Sequence, residues 1–253
     1  MTIGNVNRYI EAGDVLKAME SFKAITVEGQ GVPPDHANTA LRLVVALRKR
    51  GFYSEAMEIY ASMKDMGVSD EVSAVRARAA FNLFESYRKS GMLKESEDML
   101  SAMAQLPPTA DVLLLRAMAS VNQVDSLIAA GDVTGARRVF ETMELLGESE
   151  ELNLIRATAA LSLLKAYDRS LDYRTGLEMF RVIQGLGDYE DVAIVQAKAS
   201  LAIAQLAVKA GDPSKAKAVF ADLGALVEAW PDLWTYRDEV FSVIYEATGE
   251  TAF

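Results

Sequence analysis

A short pattern returns along the chain about every 40 residues, and a chain with such a period is confined to stacked-repeat architectures. The pattern begins at Gly51, Gly91, Gly131 and Gly211. The intervals 91−51 and 131−91 are both 40, and 211−131 is twice that. The absent member falls at Leu171, and an earlier copy begins 38 residues before Gly51, at Gly13. In such an array each unit meets only its neighbours, so the 253 residues extend in one dimension instead of closing around one centre.

Aligned on that glycine, the copies share three columns. The fifth residue after it is Ala18, Ala56, Ser96, Ala136, Gly176 or Ala216. The ninth is Phe22, Tyr60, Leu100, Phe140, Phe180 or Phe220, and the twelfth is Ile25, Met63, Met103, Met143, Ile183 or Leu223. Offsets of three and four place these residues on one helical face, here called helix B. A longer helix A precedes each glycine, as in Asp70 to Ser90, Asp111 to Ala130, Glu150 to Ser170 and Asp191 to Ala210. Its columns repeat too: Val72, Val112, Leu152 and Val192, then Val75, Leu115, Ile155 and Val195. Two alanine columns follow, Ala77, Ala117, Ala157 and Ala197, then Ala79, Ala119, Ala159 and Ala199, and they imply close helix–helix packing.

The glycines stand where helix A ends, the usual place for a left-handed cap. Leu171 breaks the rule, but Asp172 follows it as in the Gly-Asp copies, so the turn is expected to persist. Ser69, Thr109, Ser149 and Asp188 precede helix A, with Asp70, Glu71, Glu150 and Glu151 in first turns, where acids complement the positive end of the helix dipole. Breakers separate the copies: Gly29, Gly31, Pro33 and Pro34 in the longest loop, then Met66–Gly67, Pro107–Pro108 and Gly185–Gly187. Trp230 to Phe253 keeps a helical pattern but loses the columns, as a final capping helix does. The expected fold is all-α: a right-handed α-α superhelix of about six helix-turn-helix repeats. They span approximately 1–28, 34–67, 69–106, 109–147, 149–187 and 188–228, with a cap at 231–249, in a single domain.

Composition is that of an ordinary soluble chain, 51% apolar and 25% charged. With no cysteine, disulfides and thiolate chemistry are excluded. The opening from Met1 to Gly13 does not read as a signal peptide, and no run approaches the roughly 18 consecutive apolar residues of a membrane span. A cytoplasmic protein with no membrane contact is the expectation. The net charge of −10 counts against nucleic acid, whose binding draws much of its strength from Lys and Arg on phosphates.

A glycine, an alanine five later and an aromatic nine later, as in Gly131, Ala136 and Phe140, resemble the turn and second helix of a tetratricopeptide repeat. Tyr87 and Tyr167, four before the glycine position, match that family's aromatic near the end of its first helix. The resemblance covers nearly the whole chain, with two departures: a period near 40 rather than about 34, and Phe84, Val124 and Leu164 where the family has a small residue. The stretch from Gly51 to Val72 also resembles the second helix of a pentatricopeptide repeat, a sister family that binds RNA. That family's polar base-reading positions do not recur here as a set. The resemblance implies a non-enzymatic interaction module (adaptor, scaffold or chaperone-like) that binds a protein or peptide along a concave face lined by helix A. RNA binding and a self-assembling scaffold are the alternatives.

Carried onto this chain, that geometry makes the groove candidates Asn38, Arg48, Lys49, Arg78, Arg88, Lys89, Arg169, Lys198 and Lys209. They occupy columns that vary while the packing columns do not, and most are basic, which suits an acidic peptide or a C-terminal carboxylate. The competing reading is that Lys and Arg in a last turn only offset the helix dipole. A further column, His36, Arg76, Arg116, Arg156 and Gln196, reads as partly buried ion pairs with acids such as Glu58 or Asp98, the alternative being a guanidinium ladder that clamps carboxylates in the groove. Trp230, Trp234 and Tyr236 either close the last repeat or dock a second copy. No catalytic residue, cofactor or metal is expected: there is no phosphate loop, nucleophile elbow or thiol, and His36 is the only histidine.

Overall fold

In the computed structural model, which describes residues 2–25 and 34–250, no strand occurs among the described residues. The helices come in pairs: α1 (Ile3–Glu11) with α2 (Val15–Lys23), α3 (Pro34–Lys49) with α4 (Tyr53–Ser62), and α5 (Asp70–Lys89) with α6 (Leu93–Ala104). Then come α7 (Ala110–Ala129) with α8 (Val133–Thr142), α9 (Glu150–Ser170) with α10 (Tyr173–Gln184), α11 (Glu190–Lys209) with α12 (Pro213–Ala229), and a final α13 (Trp234–Thr248). Odd-numbered helices through α11 are the A helices and even-numbered ones the B helices. The expected loop residues Gly29, Gly31 and Pro33 lie outside the described residues.

The chain forms two compact units, Met1–Ala119 and Ser120–Phe253, and the boundary falls inside α7. In the first unit α1 packs on α2 and α3, α3 on α4 and α5, and α5 on α6. In the second α9 packs on α10 and α11, α11 on α12, and α13 on both α11 and α12. Neighbour packs on neighbour, the α-solenoid arrangement that the period implies. α13 meets α11 much as α11 meets α9, so the capping helix stands where a further helix A would.

One turn closes every copy. Gly13, Gly51, Gly91, Gly131 and Gly211 all have φ between 71° and 84°, and Leu171 joins them at φ 56°, ψ 27°. At each, the left-handed residue donates its N–H to the carbonyl three back, and the next residue donates to the carbonyl five back. Gly131 to Ile128 and Asp132 to Leu127 are one example; Leu171 to Asp168 and Asp172 to Tyr167 are the glycine-free one. These paired bonds satisfy carbonyls left open at the end of helix A. Asp14, Asp132 and Asp172 then accept from the backbone N–H three residues on, starting helix B. At the helix A starts, Ser69, Thr109 and Ser149 accept in the same way. Before α11 the cap position is held by Tyr189, with no side-chain bond, so Asp188 stands one residue too early to serve.

The columns are the core. Ala18, Ala56, Ala136 and Ala216 of the small column are fully buried, as are all eight residues of the two alanine columns to within 1%. At Gly176 an added Cβ would lie 2.7 Å from Leu206 Cδ2 and 3.1 Å from Leu164 Cδ1, so here the facing helix closes in even further. Phe22, Tyr60, Phe140 and Phe180 are buried in the aromatic column, each such side chain contributing roughly 1.5–3 kcal/mol by leaving water.

Two helices, α7 and α11, are long and apolar enough by length and composition to cross a membrane, although neither is an unbroken apolar run. In α11, 56% of that window is buried inside the protein, where its alanines and valines fill packing columns.

Leu171 holds a conformation that costs a side-chain-bearing residue about 1–2 kcal/mol, and its side chain is 53% exposed, so little burial offsets the strain. Leu171→Gly is therefore expected to stabilise the protein by about 1 kcal/mol, seen as a higher denaturant midpoint. A lower midpoint would show that the leucine side chain carries packing worth more than the strain.

Candidate functional site

Nine positions on the A helices were expected to face a ligand, and most of their cations already hold partners. At the end of α3, Arg48 donates to Ser86 Oγ at 2.9 Å and to Asn82 Oδ1 at 2.8 Å on α5. Arg78 on α5 pairs with Asp111 of α7 at 2.9 Å, and Lys209 of α11 reaches Asp168 of α9 at 2.5 Å. Arg88 and Lys89 both turn to Glu85 one turn back. Burial of Glu85 pushes its carboxyl up, but hydrogen bonds and charge from Arg88 and Lys89 outweigh it and hold the group below its ordinary value. Lys49, Arg169 and Lys198 are exposed and close no ion pair among the described residues. Of the last-turn cations, Arg48, Arg88, Lys89 and Lys209 thus tie helix to helix or helix to its own preceding turn, a role beyond the dipole effect, whereas Lys49 and Arg169 do not.

Similar ties link the B helices. Lys23 pairs with Glu58 at 2.5 Å, and Arg137 donates to both Glu141 and Glu178 at 3.1 Å. These bonds raise the Arg137 guanidinium further above its already high range. Exposed pairs like these are worth only about 0–1 kcal/mol each.

Among the clefts lined by described residues, three bear on the expected positions. The first, about 410 Å³, lies between the starts of A helices and brings Asn38 and Arg78 together with Glu71, Asp111, Ala74 and Val75. The second, about 430 Å³, follows the turn of one repeat and contains Arg169 with Arg137, Tyr167 and Asp172. The third, about 340 Å³, lies beneath the short 3₁₀ turn Pro231–Leu233 and is lined by Trp230, Tyr236, Ile194, Glu190 and Asp232. The expected aromatic trio is therefore divided. Trp230 and Tyr236 line this cleft, while Trp234, 52% exposed, lies against the Arg237 guanidinium that also covers Phe220. Of the acids in these clefts, Glu71 was read from the sequence only as a helix-start acid, and Asp111 and Glu190 were not singled out. Their place in first turns on the open side of helix A was the signal that they also line clefts.

The expected ion-pair column is corrected by the structure. The buried Arg156 donates from one guanidinium nitrogen to Met143 O at 3.0 Å and Gly147 O at 2.6 Å, carbonyls at the end of the preceding helix B. Forty residues on, Gln196 donates to the matching carbonyl, Ile183 O, at 3.3 Å. Glu58 pairs with Lys23 instead. In these two repeats the column caps the C-terminal end of a B helix, where carbonyls lack intrahelical partners. In the first unit the buried His36 stacks on Phe22 of the aromatic column at 4.5 Å, and burial pushes its imidazole below its usual value.

The family pattern described as the PPR repeat matches residues 42–68, the latter part of α3 with α4 and its 3₁₀ extension. That stretch overlaps the Gly51 to Val72 segment whose likeness to the pentatricopeptide repeat was noted above. No curated protein matches the chain. With the pairwise helical packing, the match supports a helical repeat protein similar to the tetratricopeptide and pentatricopeptide repeats. Among the described residues no group of His, Cys, Asp and Glu is placed to hold a metal ion.

Two substitutions test the column. Arg156→Ala removes donors to two buried carbonyls and is expected to cost about 1.5–3 kcal/mol. Arg156→Gln, which repeats the Gln196 arrangement, should cost less than half of that by chemical denaturation. For His36 the unfolded imidazole, with its value near 6.5, takes up a proton before the folded one. The His36 contribution is thus complete above that pH and declines as pH falls below it. The denaturant midpoint of His36→Gln should accordingly change less than that of the parent between about pH 7.5 and 5.5.

Proposed function

We propose that the chain is a non-catalytic binding module that holds a segment of a partner protein along the exposed side of its A helices. The observation that carries this reading is one recurring position. Asn38, Arg78, Met118, Thr158 and Lys198 are all exposed, while the residues just before the last four, Ala77, Ala117, Ala157 and Ala197, are buried. Within each compact unit, a position fixed in backbone and free in chemistry suits side-by-side reading of an extended ligand. Acidic side chains on that ligand would meet Lys49, Arg169 and Lys198, the cations with no ion pair among the described residues. The same face supplies Leu114, Leu154 and Ile194, half-buried apolar side chains that suit a peptide better than a phosphate backbone.

RNA is the second reading, favoured by the PPR repeat match at residues 42–68. Against it stand the net charge of −10 and the cations already spent on Asn82, Glu85, Asp111 and Asp168.

Peptides selected from a random library on the immobilised chain should bind the triple variant Asn38→Ala, Met118→Ala, Lys198→Ala at least about tenfold more weakly, a loss near 1.4 kcal/mol. The unfolding midpoint of that variant should stay unchanged. Equal affinity would remove this face as the binding surface. Retention of single-stranded RNA at about 50 mM salt, lost as salt rises, would replace the protein reading with the RNA one.

A further inference from the structure

The cleft under the Pro231–Leu233 turn differs in chemistry from the other two. Its wall carries two aromatic rings, Trp230 and Tyr236, two carboxylates, Glu190 and Asp232, and the apolar Ile194 and Leu233. Neither carboxylate closes an ion pair among the described residues, and no lining residue is a cation. The cation nearest in sequence, Arg237, is committed elsewhere, its guanidinium 4.8 Å from the Phe220 ring and 5.0 Å from that of Trp234.

The sign of the local field follows from counting charges. The start of α11 brings the equivalent of about half a positive charge. Against it, Glu190 and Asp191 in that first turn and Asp232 across the cleft set three full negative charges. The cleft is therefore electronegative. Aromatic faces add to this, because the ring quadrupole attracts a cation within about 6 Å and Trp does so best. At about 340 Å³ the space is near the lower limit of ligand pockets, the size for one long side chain rather than a whole small molecule. Ile194 and Leu233 offer apolar surface to the methylene stem of such a side chain, as lysine and arginine require when they bury the stem and leave the head polar.

We infer that this cleft binds a lysine or arginine side chain of a partner segment, with Glu190 and Asp232 as its counter-ions and Trp230 and Tyr236 as its aromatic walls. The inference takes from the binding-module reading only that the ligand is a protein segment. None of Asn38, Met118 and Lys198, which test that reading, lines this cleft, so the two can fail separately.

Trp230 becomes the sole tryptophan in a Trp234→Phe background, and its emission reports on the cleft. The probes are five-residue capped peptides with leucine on either side of a central lysine, arginine, norleucine or glutamate. Lysine and arginine peptides are expected to shift the emission saturably, with norleucine at least tenfold weaker and glutamate silent. The double change Glu190→Gln, Asp232→Asn should abolish the preference for lysine over norleucine. Tyr236→Leu, which keeps both carboxylates, should weaken lysine binding severalfold, and circular dichroism checks that each variant is folded. Equal binding of norleucine and lysine, no saturable response to any peptide, or an undiminished lysine preference in the double variant would each overturn the assignment.

Discussion

A left-handed residue at the end of every helix A sets the geometry on which the rest depends. It turns the chain so that the fifth residue after it, alanine in four of six copies and otherwise Ser96 or Gly176, arrives against helix A with too little side chain to hold the two apart. Successive helical residues are rotated by about 100°. A turn one residue longer or shorter would swing the small column away and in most copies present a larger or charged neighbour, such as Lys17, Glu55 or Lys215, instead. The two hydrogen bonds that fix the turn are the same at all six positions, including the one where leucine replaces glycine. Backbone satisfaction at the helix end, and not glycine alone, preserves the register.

Packing this close leaves few places for polar backbone to go. The B helices end against the next helix A, where water reaches their last carbonyls poorly. A side chain supplied from that helix A does the work: Arg156 for Met143 and Gly147, Gln196 for Ile183. Charge is incidental at this position, which is why glutamine can stand where arginine stood. The exposed cations serve differently, linking neighbouring helices at the surface, and that use removes several of them from competition for a ligand.

The apolar part of this architecture was legible because it repeats. The small and alanine columns fell on buried positions, as did most of the aromatic column, and Asp172 announced that the turn at Leu171 would survive. The polar part was harder to read, for physical reasons. An arginine in a column advertises its charge, whereas a backbone carbonyl that accepts its proton leaves no mark in the sequence, so Arg156 was assigned to an acid it never meets. Ties such as Arg78 to Asp111 and Lys209 to Asp168 join residues 33 and 41 apart, and nothing local pairs them. Trp230 is set off from Trp234 by a 3₁₀ turn, which no helical periodicity predicts, and it shares its cleft with Tyr236 instead. The division of the contacts inside α7 was likewise invisible, since its alanine and apolar columns continue unbroken.

The surface ties have a consequence for how the molecule responds to its medium. Mobile ions screen charge over about 8 Å at physiological strength and less as they become more concentrated. Lys23–Glu58, Arg78–Asp111 and Lys209–Asp168 therefore weaken together in brine, while the alanine seams beneath them, held by exclusion of water, do not. Salinity then acts as a dial on the outermost layer alone. It loosens these links and leaves the packed seams as they were.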